Sequence, residues 1–130
     1  MKRSGKVYVV VDDSAVLLSL EAIFVAEGYT VECFTSAEDF LEYHHPTQVG
    51  SVLVDLLMPG MGAGGLLRQL RRLGSLLSVV VVSGLSDREE LGAQESDSVL
   101  LLEMPYKVST LLTMVEDGIA GSMRRRAQRG

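Results

Sequence analysis

Three aspartates and one serine stand where the sequence could do chemistry. Asp12 and Asp13 follow the apolar run 7–11, Asp55 follows the apolar run 52–54, and Ser83 follows the valines 79–82. Carboxylates gathered about 4 Å apart without a cation repel by several kcal/mol at an effective dielectric of roughly 20. Oxygen-only ligands with open positions suit Mg²⁺, which takes one or two carboxylates and completes its shell with water and phosphate oxygens. Such a set would relieve its own repulsion by holding the ion and would draw in a phosphoryl group. Singly, the pieces say less. Aspartates at strand ends are common helix caps, and Ser83 or Pro59-Gly60 alone is ordinary turn chemistry.

The elements around these residues decide whether they meet. The run 7–11 is short, apolar and largely β-branched, as a strand buried on both faces requires. Asp12-Asp13-Ser14 ends it and offers a helix N-cap, and residues 15–27 read as a helix closed by Gly28. Residues 30–34 alternate weakly, as a more exposed strand does. Ser36, with Asp39 three residues on, opens a helix over 36–43. Residues 51–57 predict a third strand, 58–65 a glycine-rich loop, and 66–73 a short helix with Arg68, Arg71 and Arg72 on its polar side. A fourth strand over 79–82, a weak helix over 87–95, a fifth strand over 99–102 and a last helix over 108–119 complete the chain. Strands alternating with helices predict an α/β fold, a parallel sheet covered on both faces. Ligands of such sheets bind beyond the carboxyl ends of the strands, where strand order reverses. Asp12, Asp13, Asp55, Ser83 and Met104-Pro105 all fall at such ends.

Length and composition narrow the rest. The chain has 130 residues, 47% hydrophobic and 22% charged, which fits one globular domain and excludes wholesale disorder. Cys33 is the single cysteine, so neither an internal disulfide framework nor a four-cysteine zinc site is possible. No apolar run approaches the roughly 18 residues of a membrane helix, and no signal peptide is expected at the start, since the run 7–11 is too short for an h-region and stops at two aspartates. A cytoplasmic protein without membrane insertion is expected. The net charge is −5, and setting aside Arg124, Arg125, Arg126 and Arg129 of the C-terminus takes it to −9. An acidic body disfavours nucleic acid, whose phosphates call for Lys and Arg. Residues 122–130 are expected to be a frayed, solvated tail after a domain over 1–121.

In order and spacing, Val-Val-Asp12-Asp13-Ser, Val-Asp55-Leu-Leu-Met58-Pro59-Gly60-Met61, Val-Ser83-Gly84 and Pro105-Tyr106 together resemble the receiver domain of two-component response regulators, over roughly residues 5–120. The resemblance implies a flavodoxin-like, doubly wound, five-stranded parallel sheet of order 2-1-3-4-5 with five helices. It implies that Asp55 accepts a phosphoryl group from a histidine kinase or phosphotransfer protein. Mg²⁺ would be held by Asp13 and Asp55 directly, by Asp12 through water, and by the backbone carbonyl of Leu57. Ser83 would be the switch hydroxyl that bonds a phosphoryl oxygen, and the Met104–Pro105 bond would be cis. Such a domain is not an enzyme beyond assisting its own phosphorylation and slow dephosphorylation.

Several positions depart from the family pattern. Met104 stands where a lysine normally precedes the proline, and it supplies neither charge nor donor. Leu101 replaces the usual aromatic switch, and Gly62-Ala63 replaces Asp-Gly, which predicts a soft loop. Leu57 and Leu85 occupy the positions lining the approach of hydrolytic water, which predicts a long-lived acyl phosphate. Along the first helix, Val16, Leu20, Ile23 and Phe24 form the expected core stripe. Leu17, Leu18 and Val25 are left outward as a docking face for the kinase or phosphotransfer protein, or for a homodimer. The expected function is a single-domain response regulator acting on a downstream protein by contact. The alternative is a degenerate receiver that binds partners without phosphorylation. A phosphohydrolase would want an acid at position 57, a flavodoxin would want donors rather than Asp12-Asp13 at its phosphate site, and a small GTPase would need a P-loop.

Overall fold

In a computed structural model of the chain, which describes residues 5–84 and 99–129, the apolar runs are strands, and helices follow the first, second, third and fifth of them. The strands are β1 (Lys6–Val10), β2 (Thr30–Phe34), β3 (Gly50–Asp55), β4 (Ser78–Ser83) and β5 (Leu100–Glu103). The described helices are α1 (Ser14–Ala26), α2 (Ala37–Tyr43), α3 (Gly62–Arg72) and α4 (Val108–Arg129). All strand pairs are parallel, and the sheet has the expected order β2-β1-β3-β4-β5. The weak helix read over 87–95, and Leu85, lie outside the described residues. No described helix is long and apolar enough to cross a membrane.

Successive side chains of a strand point to opposite faces, and here both faces are buried. Tyr8, Val10, Val52, Val54, Val79 and Val81 pack under Phe40 of α2 and Leu66, Leu67 and Leu70 of α3. Val7, Val9, Leu53 and Val80 face the other way, under Leu20 and Phe24 of α1 and Leu111, Val115 and Ile119 of α4. This two-sided burial is why the central strands read as unbroken apolar runs. The edge strand β2 is half-buried throughout, which matches its weaker pattern.

Three expectations need correction. α3 begins at Gly62, not at residue 66. Burial of Ala63, Leu66, Leu67 and Leu70 outweighs the poor helix propensity of three glycines. Gly65 is also required, because a Cβ there would stand 2.8 Å from Met61 Cβ. In α1, Val16 is 44% exposed, whereas Leu17 packs on the core beside Leu20. A helix apolar on nearly every side does not declare which residue faces inward.

The third correction concerns the arginine-rich end, which is not a frayed tail. α4 runs without interruption to Arg129. Ser122 Oγ donates to Leu76 O at 2.6 Å and accepts from Gly50 N at 3.0 Å. Ser51 Oγ and Ser78 Oγ donate to the helix carbonyls of Val115 and Gly118, at 2.8 and 2.6 Å. A side chain on Gly118 would collide with Ser51 Oγ and lie 3.1 Å from Ser78 Cβ. Arg125 and Arg129 then hold the last two turns against the α3–β4 turn, through Leu76 O at 3.0 Å and Gly74 O at 2.6 Å.

Candidate functional site at the carboxyl edge of the sheet

Parallel register brings the sequence-predicted residues to one rim. Val10 of β1 lies beside Val54 of β3, Asp55 beside Val82 of β4, and Ser83 beside Glu103 of β5. Asp12 and Asp13 therefore leave the sheet next to Asp55, and Ser83 ends the neighbouring strand on the other side. β1 has β2 on one flank and β3 on the other, so the reversal of strand order, where open α/β sheets bind ligands, falls between the aspartates.

Each side chain has a local reason for its place. Asp13 is the N-cap of α1, and its Oδ1 accepts from Ala15 N at 2.9 Å and Val16 N at 3.2 Å. Asp55 Oδ1 accepts from Leu57 N at 3.1 Å, which folds the chain back after β3. Asp12 is exposed beside them. The loop that follows, expected to be soft, is pinned at several points. Met58 is buried, Met61 packs on the core, and Met61 N donates to Glu38 Oε2 at 3.2 Å. Gly60 has φ +79°, a backbone conformation that favours glycine, and it lies close under that carboxylate. Glu38 went unrecognised in the sequence, because an acid in the first turn of a helix needs no further purpose.

Ser83 differs from the aspartates. It is 2% exposed, and its Oγ has no hydrogen-bond partner. Its backbone carbonyl accepts from Met104 N at 2.8 Å, which extends the β4–β5 pairing to the rim. A buried hydroxyl left without a partner costs about 1–3 kcal/mol, so this position favours an incoming acceptor. The Met104–Pro105 bond is cis, as the resemblance implied. Met104 is 50% exposed and Leu57 53% exposed. Leu101 packs against the α2–α3 side of the core. Away from this rim, burial and the neighbouring Glu21 push the Cys33 thiol up to about 11, so Cys33 is no nucleophile near neutral pH.

The backbone assembles the aspartates more fully than their side chains do. Among the described residues, no three acidic, imidazole or thiol side chains close into a ready metal group. Asp13 turns its Oδ1 to the first turn of α1. The donor set nevertheless fits a small hard cation. Asp13 and Asp55 each engage the backbone through Oδ1, leaving a second oxygen apiece, and all the donors are oxygens.

The profile for the response regulator receiver domain matches residues 7–116. Response regulator TodT of Pseudomonas putida F1 is 29% identical over 126 residues, covering 96% of this chain. The tetrathionate response regulatory protein TtrR of Salmonella typhimurium is 33% identical over 119 residues, covering 91%. This chain spans only 56% of TodT and 58% of TtrR. Among solved structures, response regulator StyR superposes with a TM-score of 0.89 at 29% identity, covering 98% of this chain and 65% of that one. A CheY-like receiver domain protein from Methanospirillum hungatei gives 0.79 at 19% identity, covering 92% and 98%, a likeness of fold. The match across residues 7–116, on this sheet order and with Asp12, Asp13, Asp55 and Ser83 at one rim, makes the chain a member of the response regulator receiver domain family.

Proposed function

We propose that Asp55 accepts a phosphoryl group from the phosphohistidine of a kinase or phosphotransfer protein. A carboxylate oxygen of Asp55 attacks phosphorus and an acyl phosphate forms. The P–N bond breaks, its electron pair stays on the imidazole nitrogen, and the donor histidine recovers its neutral form. Mg²⁺, when bound, neutralises charge on the transferring group. Asp13 and Asp55 would hold it directly, Asp12 through water, and Leu57 through its backbone carbonyl. Ser83 donates its hydroxyl to a phosphoryl oxygen and shifts the β4 end as it does so. Output passes by protein–protein contact.

The observation that carries this reading is the Ser83 hydroxyl, buried and unpartnered at the strand end beside Asp55. The donor protein would dock on α1, where Val16, Leu18 and Val25 are exposed. Val16, Leu20, Ile23 and Tyr106 line a cavity of about 290 Å³ beside that face. A second reading, a receiver that works without phosphorylation, draws on Met104. A half-exposed thioether stands where the family has an ammonium.

Incubation with a small phosphodonor and Mg²⁺ decides between them. Phosphorylation predicts the mass gain of one phosphoryl group, lost in Asp55→Asn. No gain, or a gain that Asp55→Asn retains, overturns the assignment.

A further inference from the structure

The amino-terminal edge of the sheet carries the opposite charge. Arg124, Arg125, Arg126 and Arg129 crowd the last two turns of α4. Arg125 Nη2 donates to Leu76 O at 3.0 Å and Ser78 Oγ at 2.6 Å, and Arg129 Nη1 donates to Gly74 O at 2.6 Å. Carbonyl and hydroxyl acceptors orient a guanidinium without cancelling its charge. Arg125 and Arg129 are thus fixed in position, with much of their rotamer entropy already lost, and their charge is not cancelled by those acceptors. Partial burial, with the charges of Arg124 and Arg129 beside it, pulls the Arg125 guanidinium down from its usual range.

A cavity of about 600 Å³ opens beside these groups. Its described lining includes Arg71, Arg124 and Arg125 together with the apolar side chains of Leu77 and Leu100, and Asp117 is the one acid in that described lining. The volume lies within the range of about 300–1,000 Å³ typical of small-molecule sites. A bare inorganic anion would satisfy the arginines and leave the apolar wall uncovered. A carboxylate would bring one charge to at least two guanidiniums. A phosphate ester with a flat organic body meets both demands, since guanidinium pairs with phosphate through parallel N–H···O bonds.

We propose that this cavity binds a small organic phosphate of the mononucleotide class, its phosphates on Arg124 and Arg125 and its ring system against Leu77 and Leu100. The site lies at the far end of the strands from Asp55 and is independent of that residue's role.

The test is calorimetric titration of the intact chain with ATP, adenosine and tripolyphosphate. EDTA is present throughout, so that no metal at the aspartates contributes. ATP is expected to bind at least about tenfold more tightly than either fragment. Arg124→Glu, a change at an exposed residue, is expected to weaken ATP by about tenfold or more with the melting temperature unchanged, while Asp55→Asn leaves ATP affinity as it was. Arg124→Gln, which removes charge without reversing it, should fall between. Absence of ATP binding overturns the proposal, as does undiminished binding by Arg124→Glu. Equal binding of tripolyphosphate or of adenosine overturns the mononucleotide class.

Discussion

Asp13 caps a helix, and a pair of substitutions can separate that from the metal-binding role proposed for it. Its Oδ1 caps α1 through two backbone N–H groups, at 2.9 and 3.2 Å, and its charge is one of the three proposed for Mg²⁺. Asparagine caps a helix about as well as aspartate, whereas alanine loses the cap at a cost of about 1 kcal/mol, within a range of roughly 0.5–2. For a domain of this size that cost lowers the melting temperature by about 2 to 5 °C. Without Mg²⁺, Asp13→Asn should therefore melt no lower than the wild type, since it keeps the cap and sheds one charge of the acidic set, and Asp13→Ala should melt below Asp13→Asn. With Mg²⁺ at about a hundred times its dissociation constant, the wild type should gain about 2.7 kcal/mol. Both variants should lose most of that gain, because both lack the charge. Thermal melts of the three proteins, each with Mg²⁺ and with EDTA, read all six values. The reasoning fails if Asp13→Asn falls as far as Asp13→Ala in EDTA. It fails equally if Asp13→Asn keeps the full response to Mg²⁺.

Four further outcomes follow from the same coordinates. Met104→Lys restores an ammonium at the rim and should raise the phosphorylation rate and reduce its dependence on Mg²⁺; rates and Mg²⁺ affinity that both stay put would make the missing charge irrelevant. Leu57→Asn places a polar group where a 53% exposed leucine stands and should shorten the acyl phosphate lifetime several-fold, followed by intact mass; an unchanged lifetime would leave Leu57 as loop cover only. Gly118→Ala forces a methyl against Ser51 and Ser78 and should cost about 1–3 kcal/mol, read by urea denaturation; a neutral result would mean that α4 shifts freely on the sheet. His44 has Nε2 3.0 Å from Ser75 Oγ and a buried, unpartnered Nδ1. Burial, then the charge of His45, holds its pKa below the usual 6.5. The folded state thus disfavours the protonated ring, and stability present above pH 6.5 declines as pH falls below that value. His44→Gln should narrow the difference between urea midpoints at about pH 7.5 and about pH 5.5, and an undiminished difference would count against this assignment.

Much of this architecture was legible because it rests on local rules. Buried parallel strands must be apolar on both faces, so runs such as Val79 to Val82 declare themselves. Ser36 caps α2 through Asp39 N as its spacing suggested, and Gly28 closes α1 with φ +91°. The positions of Asp12, Asp13, Asp55 and Ser83 followed from strand ends and a family pattern. Partners distant in sequence left no such trace. Arg125 and Arg129 read as a solvated run because their acceptors, Leu76 O and Gly74 O, lie 49 and 55 residues away. Gly62, Gly64 and Gly65 read as loop because propensity disfavours them in a helix, and only the buried leucines behind them decide otherwise. The choice between Val16 and Leu17 for the core depended on the rotation of α1 about its axis, which a nearly all-apolar helix does not encode.

α4 is seated by apolar contact alone at Leu111, and by apolar contact together with hydroxyl-to-carbonyl bonds from Val115 to Ser122. Cooling weakens apolar attraction, whereas directional polar bonds have no such dependence on water's entropy. Chilled samples should therefore unzip this helix from its front end toward its arginines, and amide exchange along the helix should acquire a gradient that reverses the usual fraying of a terminus.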